Sequence, residues 1–173
     1  MIAEICVIHA IERTNMPGSE EDIELLSIVN HYFIEASPVN SGLGIKIKSL
    51  DRTNPKIELQ MRDDLVGLIY APMLHGGIIA AVLDAIGSLA IFLNAVGEME
   101  SGSAQDRVER FREKARLNTI DLRVDYLSPG RGNVFTATGT TLQTTDIIGI
   151  ARMELHNEAR QLIAVGTGSY ILG

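Results

Sequence analysis

Residues 74–97 read LHGGIIAAVLDAIGSLAIFLNAVG, and this stretch decides the fold. From residue 76 onward it contains one charged residue, Asp84, and apolar residues fall on nearly every side of the helix that the segment predicts. A helix that is apolar all round is buried, because no side of it can face water at low cost. The sequence therefore predicts a long core helix that begins at the paired glycines Gly76 and Gly77.

Asp84 lies near the middle of this apolar segment and has no cation near it in sequence. No Lys or Arg occurs between Arg62 and Arg107. Burial of a lone carboxylate is costly unless the group is paired, hydrogen-bonded or protonated. A chain that keeps one in its core helix is expected to use it, so Asp84 is the first candidate for a functional residue.

The same segment has the length of a membrane span. A charge near the centre, as Asp84 is, costs about 3 kcal/mol on membrane insertion scales. The glycines lower the helix propensity, and no basic residue flanks either end. We therefore predict a buried core helix and no membrane span.

Composition narrows the class of protein. The chain has 173 residues, a net charge of −7, a pI of about 5.1 and no Trp, which argues against broad nucleic-acid binding. The single cysteine, Cys6, excludes an internal disulfide framework and is compatible with a reducing compartment. The first residues lack a basic region, and Glu4 interrupts their apolar run, so we expect no signal peptide and a cytoplasmic location.

Hydrophobic periodicity predicts the remaining elements. A helix is expected over 19–36, stopped by Pro38, and alternating residues over 43–50 and 56–61 predict a β-hairpin. Four further strands are predicted after the core helix, at 119–127, 132–144, 146–156 and 161–172. In the first of these, alternation assigns the buried face to Ile120, Leu122, Val124 and Tyr126.

A fully buried helix needs a sheet around it, and a curved antiparallel sheet provides one. The sequence therefore predicts an α+β fold in a single domain over 1–173. Residues 1–40 are expected to form an N-terminal helical extension. Residues 98–117 are polar and fit no part of this plan, so we expect an insertion made of a mobile loop and a short charged helix.

Three motifs resemble the hotdog-fold acyl-CoA thioesterases of the PaaI type. LHGGIIAAVLD at 74–84 is similar to that family's HGG motif with its spaced acidic residue, and TIDLRVDYLSPGRG at 119–132 is similar to its Tyr-Leu-x-Pro strand and turn. The tail ending in AVGTGSYIL is the third. The resemblance covers about 43–172 and implies a hotdog fold, an acyl-CoA substrate and a homo-oligomer, either a dimer or a dimer of dimers.

The resemblance also implies roles for the core helix. Backbone N–H groups at a helix N-terminus can stabilise an oxyanion, so the Gly77 N–H, alone or with that of Gly76, is the expected donor. Asp84 follows two turns later on the same face, as general base for water or as nucleophile, and the sequence does not separate these. The plainer alternatives are glycines that simply start a crowded helix and a buried Asp84 that is bonded to backbone or to Ser88.

Other residues are assigned to substrate binding. His75 is expected to position the substrate rather than transfer protons, because no acidic partner lies near it in sequence. Ser88 belongs, with Ala80, Ala81 and Gly87, to a face of small residues near Asp84 that would leave room for the acyl group. Arg131 is the candidate for contact with the coenzyme phosphates. Apolar residues are expected to line the pocket, namely Leu74, Ile78 and Phe92.

One departure from the family pattern keeps other functions open. Many relatives carry an Asn a few residues before HGG, but 65–74 reads LVGLIYAPML. A non-catalytic protein that binds acyl thioesters is therefore an alternative, and a dehydratase that pairs His75 with Asp84 is a third. His9, His31 and His156 show no ligand spacing, so we expect no metal site. The resemblance to thioesterases implies hydrolysis without a metal or a redox cofactor.

Overall fold

The computed structural model describes residues 20–97, 102–103, 105–106, 108–110 and 117–172. Three helices are α1 (Glu20–Asn30, continued by a π-helical turn at His31–Glu35), α2 (Pro38–Leu43) and α3 (Gly76–Gly97). The strands before α3 are β1 (Lys46–Ser49), β2 (Lys56–Gln60), β3 (Val66–Leu68) and β4 (Ala71–Leu74). Those after it are β5 (Asn118–Tyr126), β6 (Val134–Thr144), β7 (Ile148–Asn157) and β8 (Leu162–Ile171).

Six strands form one antiparallel sheet in the order β1-β2-β6-β7-β8-β5. Helix α3 packs across this sheet and contacts β6, β7, β8 and β5. The predicted α+β architecture, with a sheet wrapped around a long central helix, is therefore confirmed. Because β5 lies at one end of the strand order, β8 is its only pairing partner among the described residues.

Helix α3 is the centre of the core. Twelve of its 22 residues are buried, and the side chains of Val82, Leu83 and Ile86 have no exposed surface. Each fully buried aliphatic side chain of this kind stabilises the fold by about 1.5–3 kcal/mol. By length and composition alone the helix could cross a membrane, but the sheet covers it here, as expected of a core helix.

A glycine in the sheet allows α3 to pack close to β6. A Cβ built on Gly139 in β6 would lie 2.9 Å from the carbonyl oxygen of Ile86. Any side chain at this position would push α3 away from the sheet. The packing distance between helix and sheet is therefore set by a residue far from the helix in sequence.

The predicted N-terminal helix is present, but Pro38 does not simply end it. Pro38 occupies the first turn of α2, where its missing N–H costs nothing and its fixed φ suits a helix. Ser37 caps α2 by accepting from the Asn40 N–H at 3.4 Å. At the other end, the Arg62 guanidinium donates to the carbonyls of Gly42 and Leu43 at 2.8 and 2.9 Å.

A small hairpin precedes α3 and was not predicted. Strands β3 and β4 pair antiparallel, and their connection exposes Ile69 and Tyr70 at 93% and 87% of their surface. The segment is a continuous apolar run that contains Pro72, so neither alternation nor composition indicates a strand. The hairpin delivers the chain to the first turn of α3.

The alternation predicted for β5 is wrong at one end. Thr119 pairs with Tyr170 and Asp121 pairs with Ser169, so a bulge falls at Ile120. A bulge shifts the side-chain alternation by one residue. Ile120 is consequently 56% exposed instead of buried, and Thr119 turns towards α3.

The predicted insertion at 98–117 is described only in part, and residues 1–19 lie outside the description. Residues 105–106 and 108–110 are helical, and Val108 is 3% exposed. Asp106 accepts from the N–H and hydroxyl of Ser103, and these bonds hold the pKa of its carboxyl below the usual value. The mobile loop expected here falls largely on residues that are not described.

Candidate active site at the start and flank of helix α3

The first candidate group is the N-terminus of α3, which His75 caps. The His75 carbonyl accepts from the N–H groups of Ile78 and Ile79 at 2.9 and 3.1 Å. Its Nδ1 accepts from the Gly77 N–H at 3.0 Å, the role that a Ser or Asp oxygen usually has at this position. Nδ1 therefore carries no proton in this arrangement.

The donors of the first turn differ in availability. The Gly77 N–H is bonded to the exposed His75 ring, whereas the Gly76 N–H has no acceptor among the residues that the structure describes. The positive end of the helix dipole lies at this point. An oxygen with developing negative charge thus finds an open donor at Gly76, and a second at Gly77 once the imidazole turns away.

Tyr126 contacts the same turn from β5. Its hydroxyl donates to the carbonyl oxygen of Gly76 at 2.9 Å, and its ring would lie 3.5–3.6 Å from a Cβ built on Gly76. The Gly76 carbonyl and the Gly77 N–H belong to one peptide group, so Tyr126 contacts the opposite end of that group from its N–H. The sequence assigned Tyr126 only to the buried face of its strand.

The second candidate group is the half-buried carboxylate of Asp84. Oδ1 accepts from the hydroxyl of Thr119 at 2.8 Å. A hydrogen bond to a carboxylate stabilises its charged form and restricts its orientation. Sequence reasoning missed Thr119, although it is the first residue of the quoted strand motif, because regular alternation assigned it to the outer face.

Tyr170 lies beneath Asp84 and is fully buried. Its hydroxyl is 3.4 Å from the Asp84 carbonyl oxygen, to which it donates. Burial, and then the neighbouring Asp84 carboxylate, raise the pKa of Tyr170 well above its usual value. This hydroxyl therefore acts as a neutral donor under the helix.

On the predicted face of small residues, the space next to Gly87 is already occupied. A Cβ on Gly87 would lie 2.1 Å from the Tyr170 hydroxyl and 2.9 Å from Sδ of Met153. The space next to Gly87 is thus filled by Tyr170 and is not open to an acyl group. Ser88 also turns inward along the helix, since its hydroxyl donates to the carbonyls of Asp84 and Ala85 at 3.0 Å each.

A cavity of about 400 Å³ opens at the start of α3. Leu74 and Ile79 contribute its apolar wall, and Gly76 lies at its edge. The remaining lining comes from β4 and from the end of β5 with its turn, namely Met73, Tyr126, Leu127, Ser128, Pro129 and Gly130. Arg131 follows this turn with an exposed side chain, whereas Phe92 packs edge-on against Phe33 in the core and does not line this cavity.

The two candidate groups lie apart within one chain. Asp84 is about two turns beyond Gly76, which corresponds to about 12 Å along the axis at ~1.5 Å per residue. Asp84 bonds to Thr119, whereas His75 bonds to Gly77, so the structure does not pair His75 with Asp84. Among the described residues no group of three or more His, Cys, Asp or Glu could hold a metal ion.

Sequence comparison identifies the family. A profile of the thioesterase superfamily matches residues 71–164, which include β4, α3 and both candidate groups. The chain belongs to the thioesterase superfamily. It is thus a thioester hydrolase by class, and the predicted hotdog fold and family are confirmed.

Relatives and solved structures agree with this family. The chain is 35% identical over 150 residues to a medium/long-chain acyl-CoA thioesterase, YigI, of Salmonella typhimurium, covering 87% of this chain and 95% of the relative. A crystal structure of a Shewanella oneidensis protein related to the thioesterase superfamily has a TM-score of 0.79 and 36% identity, covering 90% and 100%. The Escherichia coli PaaI protein shares the fold, with a TM-score of 0.67, 16% identity and coverage of 87% and 94%.

Proposed function

We propose that this thioesterase hydrolyses acyl-CoA to a free acid and CoA, with Asp84 as the group that activates water or attacks directly. The observation that carries the proposal is the Asp84 carboxylate, fixed by Thr119 on the flank of a helix whose first turn offers an open N–H. The relatives named as medium/long-chain acyl-CoA thioesterases support an acyl-CoA substrate.

The general-base route uses one water molecule. Asp84 takes a proton from water as the water oxygen attacks the thioester carbonyl carbon, and the carbonyl oxygen becomes an oxyanion. The tetrahedral intermediate then collapses, the carbon–sulfur bond breaks, and CoA leaves as the thiol after taking up that proton. In the nucleophile route, the Asp84 carboxylate attacks the carbonyl carbon, the carbon–sulfur bond breaks, and CoA leaves as the thiolate and takes up a proton from water. Water then hydrolyses the resulting mixed anhydride, which releases the free acid and restores Asp84.

The oxyanion would bind at the first turn of α3. The Gly76 N–H is the open donor, and the Gly77 N–H joins it if the His75 ring rotates and releases it. His75 thereby has the positioning role that the sequence suggests, because its ring occupies a place that an oxygen acceptor can take. Donors of this kind lower the barrier because they are already oriented before charge develops.

We propose that the site is shared between two subunits of a homo-oligomer, a dimer or a dimer of dimers. Within one chain Gly76 and Asp84 lie too far apart to meet at one carbon, so a partner would supply the second group. The two elements that reach the first turn of α3 carry exposed apolar side chains, and such clusters mark interaction surfaces. They lie at the tip of the β3–β4 hairpin and at the end of β5, namely Leu68, Ile69, Tyr70, Tyr126 and Leu127.

Other assignments complete the proposal. The exposed Arg131, next to the cavity, is assigned to the coenzyme phosphates, and Leu74 to contact with the substrate beside the reacting carbonyl. A role for Ser88 in substrate binding has less support, because its hydroxyl is bonded within the helix. We propose a single domain over 1–173 and a cytoplasmic location, since Cys6 is compatible with a reducing compartment.

A non-catalytic acyl-thioester-binding protein is the second candidate. The observation that favours it is the absence of Asn from 65–74, where the exposed apolar tip of the β3–β4 hairpin lies instead. Its signature is tight binding of acyl-CoA without release of CoA.

The experiment is a CoA-release assay with short, medium and long acyl-CoA and phenylacetyl-CoA. We expect turnover by the wild type and a fall in kcat of about 100-fold or more in Asp84→Ala, the scale of a lost general base. Asp146→Ala is the matched control, because Asp146 is an exposed carboxylate in the β6–β7 turn. A folded wild type that binds acyl-CoA without turnover would support the binding protein, and full activity of Asp84→Ala would place the chemistry on another residue.

A further inference from the structure

We propose that Tyr126 is a positioning residue for the oxyanion donors of this thioesterase, acting through the Gly76–Gly77 peptide group. The inference rests on the proposed hydrolysis and adds to it a residue outside α3. Its basis is one contact, the 2.9 Å hydrogen bond from the Tyr126 hydroxyl to the Gly76 carbonyl oxygen.

The contact acts on the donors in two ways. The Gly76 carbonyl and the Gly77 N–H are the two ends of one peptide group, so a donor to the oxygen draws electron density from the nitrogen and makes its N–H a stronger donor. The same bond fixes the orientation of Gly76, a residue without a side chain that otherwise has wide conformational freedom. The Gly76 N–H belongs to the preceding peptide group, but it keeps one direction because the conformation of Gly76 itself is fixed.

Packing supports the hydrogen bond. The Tyr126 ring lies against Gly76 at ordinary van der Waals distance, since its Cε1, Cζ and hydroxyl oxygen would be 3.5–3.6 Å from a Cβ at that position. The other side of the ring is exposed and forms part of the cavity wall. Tyr126 and Gly76 thus line the cavity side by side at the start of α3.

The strand holds Tyr126 firmly. Tyr126 pairs with Ala164 of β8, and the next two residues, Leu127 and Ser128, donate to the Ile163 carbonyl at 2.9 and 3.1 Å. The segment just before the helix is fixed as well, because the Leu74 N–H donates to the Gly130 carbonyl at 2.8 Å. Both sides of the hydrogen bond therefore have rigid backbone support.

The same strand serves both candidate groups. Thr119 binds Asp84 near the start of β5, and Tyr126 binds Gly76 at its end. The bulge at Ile120 makes this possible, because it brings Thr119 to the same side of the strand as Tyr126. Strand β5 is accordingly the element that orients the carboxylate and the oxyanion donors together.

The test is Tyr126→Phe, which removes only the hydroxyl and keeps the ring. We expect kcat to fall about five- to tenfold, the scale of one lost hydrogen bond, with KM changed by less than about twofold. Tyr32→Phe is the matched control, because it removes a tyrosine hydroxyl from the π-helical turn far from Gly76 in sequence. If the wild type releases no CoA in this assay, the proposed hydrolysis is contradicted, and the role of Tyr126 that depends on it is contradicted too.

A double-mutant cycle separates positioning from a loss of packing. Pro at the first helical position removes the Gly76 N–H without preventing the helix. If Tyr126 acts through the donors, the effect of Tyr126→Phe on kcat is smaller in the Gly76→Pro background than in the wild type. Equal effects in both backgrounds would overturn the action of Tyr126 through the Gly76 N–H. A wild type that turns over, with Tyr126→Phe equal to it in kcat, would overturn the role of Tyr126 alone.

A spectroscopic measurement checks the donor strength directly. In the Asp84→Ala background, acyl-CoA with a ¹³C-labelled thioester carbonyl is bound and its carbonyl stretch is recorded. We expect the stretch to lie closer to that of free acyl-CoA when Tyr126→Phe is added, because the carbonyl is less polarised. An unchanged stretch would contradict the proposed path from the hydroxyl to the donors.

Discussion

Thr119 and Asp84 are joined by a 2.8 Å hydrogen bond between the edge strand β5 and the core helix α3. The bond exists because the bulge at Ile120 turns Thr119 inward. It gives a carboxylate in a largely apolar helix a neutral donor instead of a cation. The carboxylate is thereby held in one orientation on the flank of the helix.

Removal of this bond is expected to reduce turnover. Thr119→Val keeps the shape of the side chain and deletes the donor, so kcat should fall by about ten- to a hundredfold, the scale of a hydrogen bond to a charged group. Thr119→Ser keeps the hydroxyl and is the control, with activity within a fewfold of the wild type. CoA-release assays on folded variants decide the matter, and equal activity of the Val and Ser variants would show that the bond has no catalytic role.

A pair of substitutions at Gly76 tests the proposed oxyanion donor. Gly76→Pro removes the open N–H at a helical position that accepts Pro, and kcat should fall by about 10²–10³. Gly76→Ala adds a similar Cβ, which meets Tyr126 only at 3.5–3.6 Å, and keeps the N–H, so it should stay active. Circular dichroism verifies the helix in both variants. Loss of activity in both alike would point to crowding at the cavity rather than to a lost donor.

Mixing two inactive variants tests whether subunits share the site. Consider a heterodimer in which one subunit carries Gly76→Pro and the other carries Asp84→Ala. If Gly76 of one subunit acts with Asp84 of its partner, this heterodimer has one intact site and one inactive site. Random pairing at equal amounts makes half of the dimers mixed, so about a quarter of the wild-type activity should return. Co-expression with two tags permits this measurement. No recovery in isolated heterodimers, or a monomer in light scattering at micromolar concentration, would contradict a shared site.

The raised pKa of Tyr170 predicts alkaline sensitivity. The folded protein keeps the phenol proton above the ordinary value of about 10, whereas the unfolded chain releases it. The stabilisation is therefore complete below about pH 10 and is lost as pH rises further, at about 1.4 kcal/mol per pH unit for one proton. Urea denaturation from pH 9 to 11 measures the loss. Tyr170→Phe should show a shallower decline, and identical slopes would contradict the prediction.

Gly87→Ala tests the fit between helix and tyrosine. The added Cβ would lie 2.1 Å from the Tyr170 hydroxyl and 2.9 Å from Met153 Sδ, so we expect a loss of about 1–3 kcal/mol in the free energy of unfolding. Gly42→Ala is the control, because nothing lies within 4 Å of a Cβ there and the residue is in α2. That change should leave the protein equally stable or slightly more stable. Equal stabilities of the two variants, measured by denaturant unfolding, would show that α3 moves freely away from Tyr170.

Much of the fold was predictable because it depends on local periodicity. Apolar residues on nearly every side of 76–97 identify a core helix, and alternation identifies the long strands that surround it. Asp84 was identified in the same way, since a lone charge in such a helix is conspicuous. The paired glycines at the start of the helix were identified through the family resemblance.

Other features depend on contacts between segments far apart in the chain. The bulge at Ile120 follows from the register of β5 on β8, which no local pattern contains, and it alone brings Thr119 to Asp84. Likewise, the space beside Gly87 could be attributed to a substrate only until the fold placed Tyr170 in it.

The sequence by itself determined the core helix, the carboxylate within it and the strands that wrap it, because periodicity and burial act over a few neighbouring residues. The tertiary structure decided which partners those groups have. Thr119 holds the carboxylate, Tyr126 contacts Gly76, and the His75 ring occupies the Gly77 N–H. Two of these contacts join helix to strand across the fold, and the third depends on the side-chain geometry of the helix cap, so only three-dimensional packing could establish them.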